Sequence, residues 1–554
     1  MKYILQATCI FSFLLIAKIS FCQLSKFTHQ DTLRGTNGPE RTWWDVLRYD
    51  ISVTPDYKSK TIKGECSIRF KALADGSLMQ IDLQQPMNIV KATCDGKEVN
   101  FSLREGNVYH IRLPSSLKKG AVAKLDMSFE GKPREAVTPP WDGGWIWTKD
   151  AENRPWMTVA CQGLGASVWY PCKDYQGDEP DNGASLSMTV ADTLVAVGNG
   201  RLTNKTNNGD GTTTWKWEVV NPINNYTIVP YIGKYVNWQE KFAGEKGELD
   251  CSYWVMDYSL EKSKKQFGRD VKPMLKCFEE WFGPYPFYED SYKLVETPHL
   301  GMEHQSAVAY GNKYRDGYLG MDLSGTGWGL KWDYIIIHES GHEWFANNIT
   351  TNDIADMWVH EGFTDYSEAL FIECQYGKEA ADEYVQGLRR NISNDSPIIG
   401  PYGVNKEGSG DMYYKGANLL HTIRSVINDD AKFKEILRGL NKVFYHKTIN
   451  SSDVENYMTQ QSGKDLSKIF DQYLRTTMLP VLEYKIEGKA LSYRWSNCVK
   501  GFNMPVLITI PGLNNKEWIK PTEDWQTFPE SAVPSSENIV PDKNFYIQIK
   551  RIGK

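Results

Sequence analysis

The sequence predicts a multidomain α+β protein with an N-terminal antiparallel β domain, a mostly helical middle domain and a small C-terminal β-sandwich. Three patterns predict it: period-two alternation from about Tyr49 to Tyr235, helical spacing from about Leu260 to Leu474, and renewed alternation beyond Pro480. Successive strand side chains point to opposite faces, whereas helical ones return to a face every three or four residues. A change of period therefore marks a change of architecture. The expected divisions are 1–22 for a leader, 23–238 for the β domain, 239–478 for the helical domain and 479–554 for the sandwich.

At the start, Met1-Lys2 precedes an apolar run from Ile10 to Ala17, followed by Ser20-Phe21-Cys22-Gln23. The run is too short, and too soon interrupted by Lys18, to span a membrane. It reads as a signal peptide cleaved before Gln23. Export to the periplasm or the medium is expected, with a retained membrane anchor as the alternative. The chain has 554 residues, 41% of them hydrophobic, and a net charge of −6, enough for several cores. Such mild acidity gives no footprint for nucleic acid, and no basic run marks a membrane surface. Ten cysteines, two of them in the leader region, are too few for a disulfide scaffold, and no CxxC pair suggests a second metal site.

In the β domain, Ile62, Gly64, Cys66, Ile68 and Phe70 alternate with Lys63, Glu65, Ser67, Arg69 and Lys71, one set inward and the charges in water. Leu125, Met127 and Phe129 repeat the pattern, as do Leu186, Met188 and Val190. Asp-Gly and Asn-Gly turns between such runs predict antiparallel pairing. The helical domain opens near Leu260 and is broken at Gly283-Pro284-Tyr285-Pro286.

Its decisive stretch is Asp333 to Glu368. His338 and His342 stand four apart on an apolar run and so share one helix face, with Glu339 between them. Two imidazoles can bind a divalent metal, and the carboxylate can take a proton from a water that the metal activates. Histidine pairs on helices also occur where no metal binds, so a third ligand matters. Eighteen residues separate His342 from Glu361, which heads a second helix with Phe363, Tyr366, Leu370, Phe371 and Cys374 on its apolar face and Gly377 at its end. Three protein ligands leave a fourth position for water, as catalytic zinc sites do. Beyond Pro480, Leu482, Tyr484 and Ile486 alternate, as do Val506, Ile508 and Ile510, predicting a sandwich of about 75 residues.

His338-Glu339-x-x-His342, eighteen residues and Glu361, with Glu343-Trp344-Phe345 and Gly362-Phe363-Thr364 following the ligands, resemble one family. It is the zinc aminopeptidases that include aminopeptidase N and the leukotriene-epoxide hydrolase, within the gluzincin metallopeptidases. The resemblance implies an N-terminal saddle, a thermolysin-like catalytic domain and one zinc ion on His338, His342 and Glu361, with Glu339 as general base. Leu300-Gly301-Met302-Glu303-His304 resembles the family's Gly-x-Met-Glu-Asn loop, departing from it at Leu300 and His304. This implies that Gly301, Met302 and Glu303 bind substrate, the carboxylate meeting the free α-ammonium. Tyr413-Tyr414-Lys415-Gly416 resembles Tyr-x-Lys-Gly, which implies Tyr413 as the hydroxyl that stabilises the oxyanion. Pro171-Cys172-Lys173-Asp174 resembles Pro-Cys-x-Asp, and nine residues before Pro171 stands Gln162, an implied contact of the substrate amine. Asp365, one turn beyond Glu361, is expected to orient a ligand histidine, and Glu368 is the other acid on that helix. The implied function is a zinc aminopeptidase acting on peptides with a free N-terminus, without nucleic acid or stable membrane insertion. A zinc endopeptidase, needing neither Glu303 nor Gln162, and a silent peptide-binding protein are the alternatives.

Overall fold

Strand β1 (Trp44–Asp56) pairs antiparallel with β2 (Thr61–Ala72), and β2 with β3 (Val122–Gly131). Along β2, Ile62, Cys66, Ile68 and Phe70 are buried while Lys63, Glu65, Arg69 and Lys71 face solvent, the pattern that a half-covered sheet imposes. The computed structural model describes residues 27–511, 513, 515–528 and 538–553. The expected leader, 1–22, lies outside the described residues. These strands belong to an eight-stranded sheet. Within it β1 runs parallel to β4 (Ala184–Ala191), Tyr49 opposite Ala184. Alternation gives no information on strand direction, so this parallel pair departs from an expectation of antiparallel pairing throughout. The chain between the two is long enough to make the return crossover that parallel neighbours need.

A hairpin of β5 (Tyr235–Gly244) and β6 (Gly247–Met256) starts a second sheet. There β6 lies parallel to β7 (Tyr292–Glu296), and the short β8 (Gly301–Met302) forms the outer edge against β9 (Val308–Tyr310). Helix α1 (His29–Gly35) precedes both sheets and is capped by Thr28. Helix α2 (Leu260–Phe282) buries Phe267, Val271, Met274, Leu275 and Phe278 along one stripe. Behind it lie α3 (Tyr334–Gly341), α4 (Trp358–Tyr376) and α5 (Lys378–Leu388), followed by α6 (Tyr414–Ile427). All eight residues of α3 are buried, as are Trp358 to Ile372 of α4, so both are central helices rather than amphipathic surface ones.

A disulfide between Cys277 and Cys374 ties α2 to α4 across a sequence separation of 97. Closing so long a loop removes entropy from the unfolded chain and typically stabilises by ~2–4 kcal/mol. The C-terminal strands β10 (Val481–Glu487) and β11 (Ala490–Ser496) pair antiparallel in a four-stranded sheet, and a separate three-stranded sheet includes Val506–Thr509. Buried Leu482, Trp495 and Ile508 of these sheets share one continuous core with Tyr473 and Leu474 of the helical region, so this part leans on the helices.

Candidate metal and peptide site

Helix α3 ends at His342 because the next backbone turns out of helix: Phe345 has φ −129°, ψ 97° and Ala346 has φ 133°. That turn aims the Phe345 carbonyl back at His342, whose Nδ1 lies 3.0 Å from it. The rings of His338 and His342 stand 5.0 Å apart and nearly perpendicular. From α4, Glu361 brings Oε2 to 3.3 Å from Nε2 of His342 and 3.7 Å from Nε2 of His338. Ligand atoms of all three lie within 4.8 Å of one another, and all three side chains are buried.

The outer nitrogens are engaged elsewhere. Nδ1 of His338 is 2.7 Å from Oε1 of Glu368, and Nδ1 of His342 also approaches Oγ1 of Thr364 at 3.1 Å. Both Nε2 atoms are thereby left for the gap, where buried Oε2 of Glu361 has no hydrogen-bond partner. Two imidazoles, which give up their protons when a metal binds, and a carboxylate, each held by an outer partner, fit a zinc ion. Burial alone would push the Glu361 carboxyl up, but His342 and His338 beside it hold it well below the usual carboxylate range. The expected orienting role of Asp365 falls instead to Glu368. Neither oxygen of Asp365 has a hydrogen-bond partner among the described residues, and burial beside Glu368 pushes its carboxyl well up.

Gly301 passes directly over Glu339: a Cβ there would come 2.6 Å from Oε1 of Glu339, so a larger residue would push the Glu339 carboxyl aside. Burial outweighs the two neighbouring imidazoles and raises Glu339 to about 7. Beyond it, Oε1 of Glu303 accepts from the Gln162 amide at 2.6 Å and from the Tyr226 hydroxyl at 2.8 Å. The Gln162 amide also lies 3.5 Å from Oε1 of Glu361, so the β unit reaches the metal ligands. The departures from the loop motif are accommodated inside: His304 is fully buried with Nδ1 2.6 Å from the Tyr231 hydroxyl, and Leu300 packs against the core. Asn347 donates to the Glu303 carbonyl at 2.8 Å.

Tyr413 caps α6, with its ring 6.1 Å from that of His338 and tilted by 24°. Gly416 explains the placement, because a Cβ on it would stand 2.9 Å from the Cα of Gly362. Two glycines thus let α4 and α6 touch backbone to backbone, bringing Tyr413 over the ligand helix. Burial raises the Tyr413 phenol well above its ordinary range, with Glu361 and Glu303 adding to it, so it stays protonated. Tyr414 also lines the cleft. All nine residues anticipated for the site, namely Gln162, Gly301, Met302, Glu303, His338, Glu339, His342, Glu361 and Tyr413, line one cleft of about 790 Å³. Sequence reasoning missed Tyr226, which lies in the turn Asn224-Asn225-Tyr226-Thr227 with no spacing relation to any site motif.

Comparison with known proteins follows the same lines. The model of the peptidase family M1 domain matches residues 269–473, and that of the peptidase M1 N-terminal domain matches residues 46–227. Probable aminopeptidase 2 of Sulfurisphaera tokodaii is 22% identical over 467 residues, covering 81% of this chain and 55% of that protein. Aminopeptidase N of Lactococcus lactis is 22% identical over 470 residues, 80% of this chain and 52% of that one. Leukotriene A-4 hydrolase of Xenopus laevis is 21% identical over 480 residues, 81% and 74%. The chain thus spans about half the length of the first two, 55% and 52%. The crystal structure of an M1 zinc metallopeptidase from Deinococcus radiodurans superposes with a TM-score of 0.68 at 20% identity, over 79% of this chain and 96% of that one. This likeness extends to the fold.

Proposed function

Because the chain belongs to peptidase family M1, through domain models matched over residues 46–227 and 269–473, we propose that it is a zinc-dependent aminopeptidase that removes N-terminal residues from peptides. One observation carries the reading. Ligand atoms of Glu303, Glu339 and His342 lie within 4.8 Å of one another. In a peptide, the ammonium nitrogen and the first carbonyl carbon are two bonds apart, about 2.5 Å. An anchor for the terminus must therefore adjoin the hydrolytic groups, as Glu303 does. A buried carboxylate is costly unless a cation meets it, and burial already pushes the Glu303 carboxyl up. A terminal ammonium would relieve that cost.

Each side chain then has a task. Glu303, steadied by Gln162 and Tyr226, holds the ammonium. The edge strand Gly301–Met302 offers its backbone to an extended peptide. Glu339 takes a proton from water and returns it to the leaving amine. The Tyr413 hydroxyl donates to the carbonyl oxygen as negative charge grows on it. A zinc ion on His338, His342 and Glu361 would polarise the carbonyl and bring the pKa of water from ~15.7 towards ~7. The disulfide Cys277–Cys374 supports export, since such bonds persist in oxidising compartments. Among the described residues, no helix is long and apolar enough to cross a membrane. The test is a panel of aminoacyl reporter substrates with zinc-loaded and chelated protein. Cleavage that requires both zinc and a free amine is expected, and zinc-independent or absent cleavage would refute the reading.

A further inference from the structure

Helix α1 precedes residue 46, where the M1 N-terminal match begins, yet it reaches the cleft. Gly35 is pressed against the loop around Asn405, where a Cβ would stand 2.3 Å from the Asn405 nitrogen. Beside it, Arg34 donates from Nη2 to the Gly163 carbonyl at 2.5 Å, and the Asn405 amide donates to the same oxygen at 3.1 Å. Gly163 directly follows Gln162, which touches Glu303. A half-buried guanidinium therefore lines the cleft, hydrogen-bonded to the residue after Gln162, which in turn touches the amine anchor Glu303.

The charge is not consumed there. Arg34 has no ion pair with any described residue, and Asp174, across Gly165, already takes the Ser167 hydroxyl at 2.5 Å. A guanidinium presents five N–H donors in a rigid fork that matches a carboxylate, and the Gly163 carbonyl uses one. Lys406 adds a second cation to this part of the cleft. Glu407, also in the cleft, has the opposite sign, but no hydrogen bond to a described residue fixes it. Arg34 is held in place by its bond to the Gly163 carbonyl, so the pre-organised charge on this wall is the guanidinium.

We infer that Arg34 is a specificity-determining residue that receives a carboxylate of the peptide. This rests on the aminopeptidase reading. With the ammonium at Glu303, two carboxylates come within a residue or so of it: the side chain of an acidic first residue, or the C-terminus of a dipeptide.

The test compares Leu-Ala, Leu-Ala amide, Glu-Ala amide and Lys-Ala amide in the wild type, Arg34→Ala, Arg34→Lys and Arg34→Glu. The kcat/KM ratio of a carboxylate-bearing peptide to Leu-Ala amide should fall at least tenfold in Arg34→Ala, recover in part in Arg34→Lys, and turn towards Lys-Ala amide in Arg34→Glu. A fall for Glu-Ala amide assigns the side-chain source, and one for Leu-Ala the C-terminal source. Equal loss on all four peptides, as a displaced α1 would cause, overturns the inference. So does an unchanged ratio, or a wild-type preference for Lys-Ala amide that disappears in Glu407→Gln. If the wild type cleaves none of them, the aminopeptidase reading fails by itself. Calorimetric binding of the same peptides then decides: weaker binding of the carboxylate form in Arg34→Ala upholds the inference, and equal binding overturns it.

Discussion

Glu368 places Oε1 2.7 Å from Nδ1 of His338 while its other oxygen takes the Tyr384 hydroxyl at 2.6 Å. The acid is fully buried and lies two helical turns beyond Glu361 on α4. One helix thus supplies a carboxylate to the gap between the imidazoles and another to the back of His338. Outer partners of this kind fix ring orientation and raise the basicity of the ligand nitrogen.

Glu368→Gln should therefore release zinc to a chelator ~10–100-fold more readily. Asp365→Asn, at a carboxyl that makes no hydrogen bond to a histidine, should retain the metal. Zinc content against chelator concentration checks both, and equal retention by Glu368→Gln would remove Glu368 from this role.

The difference between these two acids illustrates what the sequence could carry. Ligand spacing was legible because HExxH needs only one helical turn and Glu361 heads its own apolar-faced helix. The choice between Asp365 and Glu368 was not, because it depends on how α4 crosses α3. Helical spacing did contain a hint, since residues seven apart lie nearly on one face. Tyr226 lay beyond reach, as its turn meets Glu303 only through packing between the β unit and the loop after β8. The pairing of Cys277 with Cys374 likewise needs the α2–α4 contact. In the first sheet alternation gave the buried faces, but the parallel β1–β4 pair required the topology.

Glu339→Gln keeps the size of the side chain and removes the base. Turnover should fall by ~100-fold or more with zinc content unchanged. Loss of zinc in this variant would show that Glu339 had been given the wrong role. Glu361→Ala should lose metal and activity together.

The acid limb of the pH profile follows from the same residue. Burial outweighs His338 and His342 and raises metal-free Glu339 to about 7. A base acts when ionised, so kcat/KM should rise with pH through this ionisation and be lost as the pH falls below it. A bound cation favours the ionised form, so the midpoint of the zinc enzyme should lie below about 7. A limb that persists unchanged in the residual activity of Glu339→Gln would belong to another group.

Tyr413→Phe should lower kcat and leave KM nearly unchanged, since the hydroxyl acts mainly in the transition state. Loss of one oxyanion donor typically costs ~2.7–4 kcal/mol. Tyr414→Phe is the control. An equal effect from it would show that the wrong tyrosine had been chosen.

The terminus requirement rests on Glu303, whose Oε1 is bound by Gln162 at 2.6 Å and Tyr226 at 2.8 Å. Acetylating a peptide removes its charge and sets a bulkier neutral group against a carboxylate that is only 2% exposed. Truncating one partner of a desolvated charge pair typically costs ~2–5 kcal/mol, enough to slow cleavage by well over tenfold. Glu303→Ala should lose a comparable amount on free peptides and discriminate far less between free and acetylated ones. Tyr226→Phe should raise KM more than it lowers kcat, because its hydroxyl steadies the anchor rather than the reacting carbonyl. Mass spectrometry of a digested ten-residue peptide decides between the two enzyme classes. Stepwise loss from the N-terminus is expected, whereas internal fragments from an acetylated peptide would make the protein an endopeptidase.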